Sequence, residues 1–108
     1  MELRYALDGM PLADLRTEVD RLWNQLTIGS ELRTHAEQAG IDVSSVEKMS
    51  ASEAFTIKRD SSGLDPATTA VIVSFSPVAA KILQDIWQKI ILPRIQKEKG
   101  EPLNDLKK

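Results

Sequence analysis

The chain has 108 residues, 42% hydrophobic and 28% charged, which suits one globular domain and excludes wholesale disorder. It contains no cysteine, so disulfides, thiolate catalysis and thiolate metal sites are excluded. A net charge of −2 gives no general attraction to nucleic acid, and the lack of thiols fits a reducing, cytoplasmic setting.

Size scaling leaves roughly 65% of the unfolded surface buried on folding, enough for one core without staples. Aromatic residues are only 5% of the chain, so that core is mainly aliphatic. The start, Met1-Glu2-Leu3-Arg4, is charged and lacks the apolar stretch of a secretory leader. The longest uncharged run, Pro66 to Ala80, would reach about 22 Å as a helix, short of the roughly 30 Å of a membrane interior. No membrane span is expected.

Leu3, Tyr5 and Leu7 alternate with Glu2, Arg4 and Ala6, the period of a strand with one face on a core. Asp8-Gly9 then makes a turn. Pro11 opens a helix over 11–26, where a missing N–H costs nothing. Leu12, Leu15, Val19, Leu22 and Leu26 form its apolar stripe, widened by Trp23. After Ile28-Gly29, Ser30 caps a short helix that Gly40 ends, with Leu32, Ala36 and Ala39 on its apolar side. Residues 41–52 are serine-rich and read as a surface connection.

Ala54 to Arg59 is a second strand, followed by a turn at Asp60-Ser61-Ser62-Gly63. The next segment carries two signals. Asp65-Pro66 resembles a helix start, whereas Thr68, Thr69, Val71, Ile72, Val73 and Phe75 favour a strand. The specific cap signal tips 67–75 slightly to helix, with a hairpin strand as the alternative. Ser76-Pro77 repeats the cap-plus-proline signature and opens a helix over 77–92. Lys81–Asp85 and Asp85–Lys89 are spaced as attractive pairs on its polar side. Pro93 is expected to end or kink this helix. Residues 97–108 read as a polar, frayed tail beyond a domain over 1–96.

No catalytic or ligand-binding signature emerges. His35 is the single histidine, and no serine, cysteine or carboxylate sits at a telling spacing from it. No cofactor or metal is expected. Asp60-Ser61-Ser62-Gly63 lacks a phosphate-loop frame, and Ser74-Phe75-Ser76-Pro77 lacks that of a nucleophile elbow. The basic residues of the tail are diluted by acids and carry no interleaved aromatics for stacking on bases.

The apolar face of the C-terminal helix is unusually wide. Ala79, Leu83, Trp87 and Ile91 form one row, and Val78, Ile82, Ile86 and Ile90 form another about a quarter-turn away. One row can serve the core while the other meets a partner, which makes Ala79, Leu83, Trp87 and Ile91 a candidate interface. Charge is also uneven: residues 1–50 hold 9 acidic and 5 basic side chains, whereas residues 51–108 hold 7 and 9, an asymmetry that can assist head-to-tail self-association.

In its order of strand, helix, strand, apolar segment and amphipathic C-terminal helix, and in the Ala70–Ile95 run, the chain resembles small effector-associated domains of bacterial conflict systems. That resemblance implies an adaptor role beside a separate effector and carries over no functional residue.

The sequence therefore predicts a single α+β domain with two or three short strands against helices 11–26 and 77–92. The expected function is a non-enzymatic interaction or adaptor module. Its partner is a second copy or another protein, met through the Trp87 row or a sheet edge. The alternative is a small enzyme or ligand binder whose pocket between helix and sheet is lined by Tyr5, Trp23 or His35.

Overall fold

The computed structural model describes residues 2–60 and 69–105. The chain is a small α+β domain in two layers, helices against one face of an antiparallel sheet. Strands β1 (Glu2–Leu7), β2 (Phe55–Asp60), β3 (Thr69–Phe75) and β4 (Leu103–Asp105) lie in the order β2-β3-β1-β4. Register follows the period of two. Leu3 faces Val73, Tyr5 faces Val71 and Ile57 faces Val73, so Tyr5, Leu7, Ile57, Val71, Val73 and Phe75 share the core face. Glu2, Arg4, Thr56 and Lys58 lie exposed on the opposite face.

The segment 67–75 is thus a strand wherever it is described, and the slight preference for helix is overturned. Its β-branched run pairs with neighbours on both sides, and tertiary pairing outweighs a local cap signal. Residues Asp65-Pro66 and the turn at 61–63 lie outside the described residues.

Helix α1 (Leu12–Ile28) begins one residue after Pro11 and buries Leu15, Val19, Leu22, Trp23 and Leu26. Each fully buried leucine contributes roughly 1.5–3 kcal/mol relative to exposure. Gly29, at φ 103, ends the helix in a conformation that a β-carbon would strain. Helix α2 (Glu31–Gln38) starts as expected, with Leu32 N–H donating to Ser30 Oγ at 3.2 Å. The connection that follows is less superficial than its serines suggest. Ile41, Val43 and Val46 are buried, and the Trp23 indole N–H donates to Met49 O at 2.8 Å. A capping box between Ser50 and Glu53 starts the short helix α3 (Ala51–Ala54).

The C-terminal helix differs most from expectation. Ser76 caps only a turn, its Oγ accepting from Val78 N–H at 3.4 Å, and α4 (Ala80–Ile86) begins later. A π-helical stretch, Trp87–Ile91, follows and runs into α5 (Leu92–Lys99). Pro93 therefore does not stop the helix. Leu92 N–H reaches back five residues to Trp87 O, and this wider turn carries the backbone past the proline ring. The same stretch explains the wide apolar face. In a regular helix residues four apart drift by about 40°. The wider π turn offsets that drift, so Ile86, Trp87, Ile90 and Ile91 all enter one core.

Of the tail expected over 97–108, residues 97–105 are described, and they form helix, turn and strand. The helix extends to Lys99, and Gly100 (φ 74) and Glu101 (φ 57) reverse the chain. Leu103 is then buried opposite Leu7 in β4.

Candidate functional site

Three surfaces offer themselves for contact: the wide helix face, the sheet edges and the clefts between helices.

The predicted row is interior. Leu83, Trp87 and Ile91 have 0% exposure, and Ala79 is half-buried against the core. Trp87 donates its indole N–H to Tyr5 Oη at 2.8 Å, and its ring lies 5.9 Å from that of Tyr5 and 6.1 Å from Phe55. Phe55 in turn meets Trp23 and Phe75 edge-on at 5.4 and 5.9 Å. Every aromatic residue of the chain belongs to this one cluster, so Trp87 is the centre of the core and not an outward anchor. Burial pushes the Tyr5 phenol above its usual range, the Trp87 hydrogen bond works against that shift, and Asp105 adds to it.

Both outer strands carry a side-chain latch. Register and the Ser76 N–H to Ala54 O bond (3.0 Å) turn the even residues of β2 toward β3 and the odd ones outward. The outward carbonyl of Ile57 accepts from Arg16 Nε at 3.2 Å and Nη2 at 2.7 Å. Phe55 N–H, also outward, closes α3 on Ala51 O. On the other edge, Gln96 pairs with Leu103 as a strand would: its amide donates to Leu103 O, and its Oε1 accepts from Leu103 N–H at 3.1 Å. Helix side chains thus occupy the central edge groups that another strand would seek, a known defence against edge-to-edge pairing.

Among the clefts, one of about 260 Å³ lies beside β2 under Arg16, with Val19, Ala51 and Phe55 in its wall. A second, of about 340 Å³, holds Asp14, Glu18 and Lys99. There Arg21 Nη2 donates to both Glu18 and Glu98 at 2.7 Å, strapping α1 to α5. The Arg21 guanidinium holds the Glu18 carboxyl below the usual range, and Lys99 adds to the effect.

The third cleft, of about 330 Å³, lies between α2 and the C-terminal helix. Leu32, Ile90 and Pro93 line it, and Lys89, Arg94, Lys97 and His35 surround them. The only carboxylate in its lining is Glu31, 3.9 Å from Arg94 and with a side chain 91% exposed. Arg94 also meets Glu98 at 3.7 Å. Among the described residues, Lys89 and Lys97 form no ion pair within 4.0 Å. The sequence-based pairs Lys81–Asp85 and Asp85–Lys89 are likewise not formed at that distance. His35, expected on a surface, is exposed here. The spacing of Lys89, Pro93 and Lys97 by four residues aligns them along one side of the helix, but only the packing of α2 creates the cleft.

Tyr5, Trp23 and His35, the alternative pocket lining, are not brought together: two lie in the core and the third on the surface. No described group of three acidic or histidine side chains is arranged to hold a metal ion. No described helix is long and apolar enough to cross a membrane. No family model matches the chain, and neither does any curated protein or solved structure.

Proposed function

We propose that this chain is a non-enzymatic interaction module that docks protein surfaces, and that the cleft between α2 and the C-terminal helix is its contact face. The observation behind this reading is the surplus of positive charge there: among the described residues, Lys89 and Lys97 stand without a carboxylate within 4.0 Å in a protein whose net charge is −2. Local charge opposed to the overall charge favours oriented encounter with an acidic surface. A cytoplasmic adaptor fits this reading. Self-association belongs to the same proposal, because the acidic excess of residues 1–50 gives a second copy a matching sign.

Native mass by light scattering, across a hundredfold range of concentration, tests the self-association. A mass that rises with concentration in the wild type, and not in Lys89→Glu/Lys97→Glu, supports it. A fixed monomer removes the second copy and leaves an external partner. The module reading itself is overturned if a metabolite raises the melting temperature by several degrees through the cleft beside β2 and Arg16→Ala abolishes that shift.

A further inference from the structure

We infer that the occupant of the cleft between α2 and the C-terminal helix is an acidic segment of another protein, with several carboxylates seated along Lys89, Arg94 and Lys97. This inference rests on the contact face proposed above and gives its partner a chemistry.

The first argument is charge. The cleft presents three permanent cations against the single lining carboxylate of Glu31, and two of those cations lack an ion-pair partner among the described residues. The second is a stand-in. Glu31 already holds a carboxylate 3.9 Å from Arg94, too long for a tight hydrogen-bonded pair, on a side chain 91% exposed. That contact marks where an incoming carboxylate would sit, and moving Glu31 aside breaks no buried interaction. The third is length. Eight residues separate Lys89 from Lys97, so the two positions lie about 12 Å apart along the helix axis. One phosphate cannot span that distance. Carboxylates four residues apart on an extended chain, about 13 Å, or eight apart on a helix, about 12 Å, match it. Exposed Pro93 gives such a segment apolar contact between its charges, above Leu32 and Ile90, which are buried in the floor. Neither sheet edge competes as strongly, since Arg16 and Gln96 hold the central edge groups.

The test uses the full chain and a fluorescein-labelled decaglutamate peptide, read by anisotropy, with inorganic phosphate as competitor. Lys89→Glu/Lys97→Glu probes the cleft, and Lys48→Glu/Lys58→Glu makes the same change of net charge elsewhere. Circular dichroism confirms that both variants fold, and Lys89→Ala/Lys97→Ala replaces the first if it does not. The expected result is binding by the wild type that falls about tenfold or more in the cleft variant. It changes less than about twofold in the control variant and weakens between roughly 50 and 500 mM salt. No binding by the wild type, or an equal fall in both variants, overturns the inference. So does millimolar phosphate displacing the peptide at constant ionic strength, which would assign the cleft to a small anion. If the peptide does not bind but the native mass depends on Lys89 and Lys97, the contact face stands and its occupant is a second copy.

Discussion

Replacing Tyr5 with phenylalanine isolates one buried interaction at the centre of the domain. The ring stays, so its contact with the Trp87 indole at 5.9 Å is retained and only the hydroxyl is lost. That oxygen accepts the Trp87 indole N–H at 2.8 Å, in a site where Trp87 is 0% and Tyr5 3% exposed. An indole nitrogen can only donate, and no buried side-chain nitrogen or oxygen among the described residues otherwise lacks a partner. The variant therefore strands a buried donor, at about 1–3 kcal/mol. In a domain of this size that lowers the melting temperature by roughly 5–15 °C. Urea unfolding followed by circular dichroism gives the free energy directly. The control is the same substitution in a Trp87→Phe background, where no indole N–H remains. There Tyr5→Phe costs less than about 0.5 kcal/mol, and the difference is the coupling energy. An equal cost in both backgrounds would mean that the hydroxyl acts through something other than Trp87.

Other expectations follow from the same contacts. Trp87→Asp abolishes cooperative unfolding by circular dichroism and does not yield a folded monomer, because it places a charge inside the aromatic cluster. Gly100→Ala costs about 1 kcal/mol in urea unfolding through its φ of 74 alone, since no atom lies within 4 Å of the added carbon. Gln96→Ala removes both bonds to Leu103 and costs roughly 1–3 kcal/mol, with faster amide exchange at Leu103 than in the wild type. The Glu18 carboxyl is held low in the fold, so the unfolded chain binds its proton more readily, and stability from this group falls as pH drops below its ordinary value of 4.5. Glu18→Gln flattens that acid limb in a pH series of melting temperatures. Tyr5 acts at the other end. Its raised value means that the unfolded state loses the proton first, so stability falls as pH rises past 10.0.

Much of the fold was legible wherever local chemistry and tertiary demand agree. The Leu3, Tyr5, Leu7 alternation, the Leu12–Leu26 stripe and the Ser30 cap each name the element they form. The misses arise where distant residues decide. Thr69–Phe75 becomes a strand because β1 and β2 flank it. Leu103, an apolar residue in a polar tail, becomes β4 only because Gly100 and Glu101 turn the chain and Gln96 pairs with it. Pro93 reads as a stop in any regular helix, and nothing local announces the π stretch that accommodates it. That stretch also bears on the expected interface, since it brings Ile86 and Ile90 of one row into the core beside Trp87 and Ile91 of the other, while Val78 stays exposed. The cleft was legible only in part. Lys89 and Lys97 share a helical side in sequence, but their meeting with His35 depends on the docking of α2.

Whether the cleft between α2 and the C-terminal helix takes an acidic segment is read by an NMR titration of the full chain with decaglutamate, following every backbone amide. Shifts concentrated at Glu31, His35, Lys89, Arg94 and Lys97 are expected, with β2 and β4 unmoved. Shifts centred on β2, or on the exposed Ile28 and Val78, would place the contact elsewhere and contradict that expectation.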